Sequence, residues 1–273
     1  MGERRKRISE QELRSIGGGA RRPIAWEHLN AGALGDRGRA QVGATWRERR
    51  KQEHLAVGAF ALLARELAEE GCDPIVLSVV TRASSDEVRH TEICRRFAVA
   101  LLGADHVPSN VRGLPKVPMH DRARPTDRVL FHLVEMCCLS ETLTGVYLTE
   151  MLARTTDPVA RVAVESLLED EIDHGRVGWA YLADRSRERS LNGLAEALPA
   201  MLDRTFRRVL NAAAYARSDK EEKLESCGYL GARAEGEACT RALRDVILPG
   251  FEMVGVDLGP ARNLVRERGW SVA

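Results

Sequence analysis

The sequence contains the pattern Asp-Glu-x-x-His twice, and the two copies stand in the same local context. The first copy is Asp86-Glu87-Val88-Arg89-His90 and the second is Asp170-Glu171-Ile172-Asp173-His174, so equivalent residues are 84 positions apart. Each copy follows an Asp-Pro pair at the same distance, Asp73-Pro74 in one case and Asp157-Pro158 in the other. An aspartate followed by proline is typical of a helix start. One Glu-x-x-His arises easily by chance, but two copies with matched spacing indicate a duplicated helical unit that carries metal ligands.

The spacing within each motif places its ligands on one face of a helix. Residues three positions apart lie within about 60° of each other around an α-helix. Glu87 with His90, and Glu171 with His174, therefore each direct a carboxylate and an imidazole toward one site. Two such helices provide half of a two-metal site in a helical bundle, and the other two helices are expected to contribute one glutamate each.

Helix signals divide the chain into four long helical stretches and three shorter ones, with a proline-rich connection between the second and third. The long stretches span about 45–70, 73–103, 126–154 and 157–183, and the shorter ones lie near 191–217, 229–248 and 260–268. Two helical hairpins joined by one long connection predict an all-α four-helix bundle with one long crossover plus additional C-terminal helices. The expected domains are a flexible basic and glycine-rich arm, the bundle, and a helical extension packed on the bundle, at 1–42, 43–185 and 186–273.

Glu135 and Glu141 are candidate ligands on the third helix, and helix geometry selects one of them. Glu171 follows the start of the fourth helix at Pro158, and its partner should lie about as far before the end of the third helix. Glu141 meets this condition, because its distance from Arg154 equals the distance of Glu171 from Pro158. Glu135 is six positions earlier, which is roughly 9 Å along the axis and about 120° around it. Glu141 is therefore the predicted ligand.

Glu48, Glu53 and Glu66 are candidate ligands on the first helix, and the distance along the hairpin favours one of them. Glu53 lies closer to the level of Glu87 than its two competitors, because Glu48 is further from the turn and Glu66 is much nearer to it. Glu53 reaches the level of Glu87 if the turn around residues 71–73 is tight and the helix is one turn longer than the minimum. Glu53 is therefore the predicted ligand from the first helix.

Apolar residues flank the predicted ligands at helical spacing, so the whole group is expected to be buried. Buried carboxylates are costly unless a cation neutralises them. Four carboxylates balance the charge of two divalent cations, and oxygen-rich ligation with imidazole favours iron or manganese. The predicted metal ligands are Glu53, Glu87, His90, Glu141, Glu171 and His174.

Two aspartates are expected to support the histidine ligands from behind. Asp86 and Asp170 each precede a ligand glutamate by one residue, which places them on the far side of the ligands. A carboxylate in that position can accept the second N–H of a metal-bound histidine. We predict a crossed arrangement, in which Asp86 contacts His174 and Asp170 contacts His90.

With these elements, residues 45–183 resemble the ferritin-like di-iron carboxylate superfamily. The resemblance rests on Glu53, Glu87-x-x-His90, Glu141 and Glu171-x-x-His174. The doubled Asp-Glu-x-x-His is similar to the monooxygenase and ribonucleotide reductase branches, in which the preceding aspartate orients a ligand histidine. The resemblance implies a ferritin-like four-helix bundle that holds two Fe ions, or an Fe/Mn pair, with dioxygen as co-substrate.

The function that the resemblance implies is a non-haem di-iron oxidase or oxygenase acting on a small organic substrate. The form of the motif favours it, as do the long helical extension beyond the bundle and the absence of rubredoxin-type cysteine pairs. The alternatives are a ferroxidase or iron-handling protein and a peroxide-reducing enzyme. The reaction type and substrate stay open, and an external electron donor is compatible with the expected chemistry.

Composition narrows the expected partners and compartment. The net charge is +1 with 30% charged residues, and no long uninterrupted apolar run occurs, so nothing favours nucleic acid or a membrane. The six cysteines form no Cys-x-x-Cys pair, which argues against a zinc ribbon or a dense disulfide framework and favours the cytoplasm. A small-molecule substrate is therefore the expected partner, and a homodimer is the default assembly.

Overall fold

The fold is all-α in the part of the chain that the computed structural model describes, which comprises residues 23–108, 110–113, 125–188, 191–215 and 222–270. No strand occurs among these residues. Residues 1–22 of the predicted arm and 114–124 of the predicted crossover lie outside the described residues. The predicted all-α class is thus confirmed.

Ten α-helices and two π-helical segments account for most of the described chain. The α-helices, in chain order α1 to α10, are Gly35–Glu70, Pro74–Leu102, Pro125–Leu133, Thr142–Arg154, Pro158–Glu188, Asn192–Ala214, Glu222–Glu225, Ala232–Arg241, Leu248–Met253 and Gly259–Glu267. The π-helical segments are Val134–Glu141, between α3 and α4, and Ala242–Ile247, between α8 and α9. Short 3-10 turns lie at Trp26–His28, Ala31–Leu34 and Ala104–His106.

The first long helix begins earlier than predicted. α1 starts at Gly35, well before the predicted start near Thr45. Trp46 is buried in an apolar core, and Gly43 lies so close to Leu102 that an added Cβ would stand 2.5 Å from the Cγ of that leucine. Gly43 thus permits close packing of α1 against α2, and residues 35–42, which the sequence assigns to a flexible arm, are helical instead.

Both Asp-Pro pairs start helices, as predicted. The side chain of Asp73 accepts a hydrogen bond from the backbone N–H of Ile75 at 2.7 Å. The side chain of Asp157 accepts from the N–H groups of Val159 and Ala160 at 2.9 and 2.8 Å. These bonds satisfy backbone donors that have no partner inside the helix, so α2 and α5 begin at equivalent points before their Asp-Glu-x-x-His motifs.

The third long helical stretch contains a π-helical segment that the sequence pattern did not predict. Val134–Glu141 is π-helical and is flanked directly by α3 and α4. The hydroxyl of Ser140 donates to the carbonyl of Glu135, and that of Thr142 to the carbonyl of Cys137, at 3.0 and 3.4 Å. Both bonds reach back five positions, which matches a π-helical register, and such segments occur frequently at functional sites.

The helices pack as two hairpins with an added C-terminal layer. α1 packs along α2, while α4 and the segment Val134–Glu141 pack along α5, and α2 contacts α5 between the hairpins. The C-terminal helix α6 packs against α8 and α10 and also contacts Val134–Glu141, and α8 contacts α4. The predicted helix near 229–248 continues to Met253. Pro249 is tolerated because it lies in the first turn of α9, where a residue without a backbone N–H loses no hydrogen bond within that helix.

Among the described residues, one helical stretch has the length and composition to cross a membrane. It spans Asp127–Arg154, and 61% of its most apolar window is buried inside the protein. Burial of this kind is typical of a core helix, so this stretch is weak evidence for a membrane span.

Candidate metal centre

Six buried side chains converge between the helices, and they are the six that the sequence analysis selected. They form two overlapping groups in which the candidate ligand atoms all lie within 4.8 Å of one another. Two carboxylates belong to both groups, so the arrangement is that of two adjacent cation positions with shared glutamates. The groups are Glu53, Glu87, His90 and Glu171, and Glu87, Glu141, Glu171 and His174.

Both imidazoles direct the same nitrogen into the cluster. Nδ1 of His90 lies 3.4 Å from a carboxylate oxygen of Glu87 and 3.4 Å from one of Glu171. Nδ1 of His174 lies 3.2 Å from an oxygen of each of the same two glutamates. The matched geometry follows from the repeated motif, since α2 and α5 each place their glutamate one helical turn before their histidine.

The crossed aspartate arrangement is present in the structure. Nε2 of His90 donates to Asp170 at 2.9 Å, and Nε2 of His174 lies 3.5 Å from Asp86. Each aspartate therefore faces the imidazole of the opposite hairpin. The hydrogen bond to Asp170 holds a proton on Nε2 of His90, and in both histidines Nδ1 is the atom that faces the cluster.

Arg89, which the sequence analysis did not single out, joins the two aspartates. Its guanidinium lies 2.9 Å from Asp86 and also contacts Asp170 in the buried interior. Two buried carboxylates behind the candidate metal site require a cation to neutralise them. The arginine at the fourth position of the first motif was the sequence signal for this cation. The second motif carries Asp173 at this position, and its carboxylate is bonded at 3.0 Å by Arg82 from α2.

Arg49 is a second functional residue that sequence reasoning missed. It stands one turn before Glu53 on α1, and its guanidinium bonds the Glu53 carboxylate at 3.1 Å. The guanidinium also lies over the ring of Tyr147, 4.9 Å from the ring centroid. The Glu53 carboxylate therefore bonds Arg49 and also belongs to the ligand cluster.

The glutamates that the sequence analysis did not select as ligands form ion pairs outside the cluster. Glu135 accepts both arms of the Arg204 guanidinium at 3.0 and 3.1 Å. Glu66 pairs with the imidazole of His132 at 2.9 Å. Glu48 is exposed and pairs with Lys51 on the surface of α1 at 2.6 Å. The structure thus brings Glu53 and Glu141 to the cluster and leaves their competitors outside it.

The four carboxylates fall into two pairs by their protonation. Burial, followed by repulsion from Glu87, raises the pKa of Glu53 to about 8. Burial and repulsion from Glu171 raise the pKa of Glu141 well above its usual range. Burial also opposes ionisation of Glu87 and Glu171, but the neighbouring histidines outweigh it and hold the pKa of both carboxyls below the usual range. The shared glutamates are therefore the ionised pair.

The two histidines of the cluster supply the positive charges opposite the ionised glutamates. Burial opposes a charged imidazole, but attraction to Glu87 and contacts with Asp170 and Glu171 raise the pKa of His90 well above its ordinary value. For His174, burial is likewise outweighed by Asp86, Glu171 and Glu87, and its pKa is also raised. Without metal, two imidazolium ions thus face two carboxylates.

The donor atoms of the cluster fit a pair of divalent cations. Both oxygens of Glu87, one oxygen of Glu171 and Nδ1 of His90 are buried without a hydrogen-bond partner. Buried polar atoms without a partner destabilise a protein, and oxygen and imidazole donors that converge from several helices satisfy a hard or borderline metal ion. The residues present therefore suit two ions held side by side.

A cavity of about 1080 Å³ borders the cluster on one side. Glu53, Glu141 and Glu171 contribute to its lining, whereas neither cluster histidine does. Arg204 and Arg208 of α6, and Glu235 of α8, line it from the C-terminal layer. The carboxylate side of the candidate centre therefore opens to a space large enough for an organic molecule.

No family model, curated protein or solved structure matches this chain. The functional conclusion therefore depends on the arrangement of the side chains.

Proposed function

We propose that the chain is a ferritin-like, non-haem di-iron oxidase or oxygenase that uses dioxygen to oxidise a small organic substrate. The observation that carries the proposal is the pair of overlapping ligand groups with Glu87 and Glu171 in common. Two shared carboxylates hold two cations close together, and that arrangement suits chemistry in which both ions act on one small molecule.

The donor set supports iron, with an iron–manganese pair as the variant. Each group combines three carboxylates with one imidazole, and no cysteine sulfur belongs to either group. Thiolate-preferring metals are therefore disfavoured, while carboxylate and imidazole suit iron and manganese. Four ionised carboxylates would match the charge of two divalent ions, so the buried site would be neutral when loaded.

The residues of the chain have separable tasks in this proposal. Glu87 and Glu171, which belong to both ligand groups, would hold both ions, and Glu53 and Glu141 would each hold one of them. Asp170 would hold the Nε2 proton of His90, and Asp86 faces Nε2 of His174 at 3.5 Å, so that Nδ1 would be the donor atom in each ring. Two bound ferrous ions would supply the electrons that dioxygen needs and so the oxidising power for the substrate.

The cavity favours substrate oxidation over iron storage. An iron-storage protein needs a path for ions, whereas this cavity has the volume of an organic ligand site and a mixed polar and apolar lining. Its outer wall comes from α6 and α8, which lie beyond the two helical hairpins. The C-terminal layer would thus shape the space in which a substrate meets the metals.

Anaerobic iron loading followed by exposure to oxygen tests the proposal. The wild-type chain is expected to bind two Fe(II) ions by elemental analysis and then to consume oxygen rapidly. Glu171→Gln removes a shared ligand and is expected to lose most of both properties, whereas Glu169→Gln, an exposed change on the same helix, should keep them. Equal iron content in the two variants would refute the proposal, and a particle of many subunits in size-exclusion chromatography would favour iron storage instead.

A further inference from the structure

The cavity that borders the candidate metal centre has a polar wall. We use this name for Arg49, Tyr147, Arg208, Tyr229 and Glu235, which all line the cavity. Arg49 and Tyr147 come from the hairpins, while the other three come from the C-terminal layer. The extension, which the sequence pattern predicts only as packing, therefore supplies more than half of this wall.

Members of the polar wall lie close enough to influence one another electrostatically. Burial raises the pKa of Glu235, and the positive charges of Arg208 and Arg49 oppose that rise. Tyr147 is near Arg49, Glu235 and Tyr229, and burial raises the pKa of its hydroxyl to about 12, so it is neutral around pH 7. The wall therefore contains two arginines and one carboxylate.

A count of charges around the cavity leaves an excess of one positive charge. Arg204 is neutralised by Glu135 through two hydrogen bonds, and Glu48 is neutralised by Lys51. When the four ligand carboxylates neutralise two divalent ions, Glu53 is no longer available as a counter-ion for Arg49. Arg49 and Arg208 then share Glu235 as the one remaining carboxylate of the polar wall.

Arg208 is the arginine best placed to meet a ligand. It lies on α6 at the cavity, and its side chain takes part in no ion pair with any residue that the structure describes. Arg49 instead stacks over the ring of Tyr147, 4.9 Å from the ring centroid, within the polar wall. A charged donor that faces a cavity without a direct partner is a suitable site for a carboxylate or another acid group.

We infer that the cavity binds an amphiphilic organic monoanion, whose acid group pairs with Arg208 and whose apolar part extends toward the metal centre. Ala56, Met136 and Leu143 line the cavity and supply apolar surface for the second part. The inference rests on the proposed function, because the excess positive charge arises only when cations occupy the cluster. It assigns substrate specificity to α6 and α8.

Calorimetric titration with matched probes tests this inference. The full chain is loaded with Mn(II) under argon, its metal content is measured, and octanoate, octan-1-ol and octylammonium are titrated separately. Octanoate is expected to bind about tenfold more tightly than either other probe, because it alone forms a charge-assisted hydrogen bond with an arginine. Similar affinities for the three probes would overturn the inference.

Two substitutions on α6 locate the acid-binding residue. Arg208→Gln is expected to weaken octanoate binding about fivefold to tenfold and to leave octan-1-ol unaffected. Arg208→Lys should keep most of the affinity because it keeps the charge. Arg207→Gln is the matched control, since Arg207 is the adjacent arginine, pairs with Asp203 at 3.2 Å and does not line the cavity.

The outcomes separate the inference from the proposed function. Two Mn(II) ions per chain with octanoate binding that does not respond to Arg208→Gln would overturn the inference and leave the metal centre intact. A chain that binds no Mn(II) would overturn the proposed function, and the inference with it. Two ions and a loss confined to Arg208→Gln would support both.

Discussion

Metal binding at this centre should displace about four protons for each pair of divalent ions. Four groups of the metal-free cluster have raised pKa values: Glu53 at about 8, and Glu141, His90 and His174 well above their ordinary values. A group whose pKa lies above the pH of the solution carries a proton. A ligand atom must lose that proton before it binds a metal, so each of the four groups contributes to the release.

The magnitude follows from these protonation states. At about pH 7, one unit below its pKa, Glu53 is roughly 90% protonated, and the raised pKa values of Glu141, His90 and His174 favour the protonated form of each. The predicted release is therefore about four protons per pair of ions. At about pH 9, Glu53 carries only roughly 0.1 proton, so its contribution to the release is almost lost. The apparent affinity for metal should accordingly rise with pH over this range.

Isothermal titration with Mn(II) under argon measures the release. Titrations at one pH in buffers of different ionisation enthalpy give the number of protons displaced as the slope of the observed enthalpy. Glu53→Gln removes one titrating group and should release about three protons at about pH 7, whereas the exposed change Glu69→Gln should still release about four. A release of one proton or fewer in the wild-type chain would refute the assigned protonation states.

Two further substitutions test the residues behind the ligands. Asp170→Asn is expected to weaken metal binding about tenfold to 100-fold in a chelator competition. The control Asp173→Asn changes a partly exposed side chain outside the cluster and should bind metal as tightly as wild type. Equal losses in both variants would contradict the role of Asp170. Arg89→Gln leaves two buried aspartates without their shared cation and should cost about 3 kcal/mol or more, a fall in Tm of at least about 6 °C. An unchanged Tm in that variant would show that Arg89 does not neutralise the pair.

The parts of the centre that depend on local helix geometry could be predicted from the sequence. Glu87 and His90 share a helix face because they are three positions apart, and the same holds for Glu171 and His174. The matched Asp-Pro pairs place both motifs at the same distance from the start of their helices. The crossed contacts with the aspartates could be predicted for this reason. The selection of Glu53 depended on a tight turn between α1 and α2, and the structure has that turn.

The choice of Glu141 over Glu135 agrees with the structure, although the helix between them is not regular. Glu141 is followed by α-helical residues up to Arg154, so the count from the helix end was valid. Glu135 lies within the π-helical segment, where the assumed α-helical rise and rotation do not apply. A π-helical segment has no simple sequence pattern, because it depends on how neighbouring helices pack around it.

The cavity and its charges could not be predicted from the sequence because they are tertiary features. Arg49, Arg208 and Glu235 are far apart in the chain and come together only when α6 and α8 pack beside the hairpins. Each of these residues has an ordinary helical context, so nothing in the local pattern distinguishes it from a surface charge. The close packing of Gly43 against Leu101 and Leu102 is likewise a tertiary feature.

Anomalous X-ray scattering from a crystal of the iron-loaded chain tests the central claim most directly. Data collected on the two sides of the iron absorption edge should give two anomalous peaks per chain, both enclosed by Glu53, Glu87, His90, Glu141, Glu171 and His174, with Glu87 and Glu171 between them. Iron peaks only at the protein surface, or no peak inside this cluster at full iron loading, would contradict the existence of a di-iron centre.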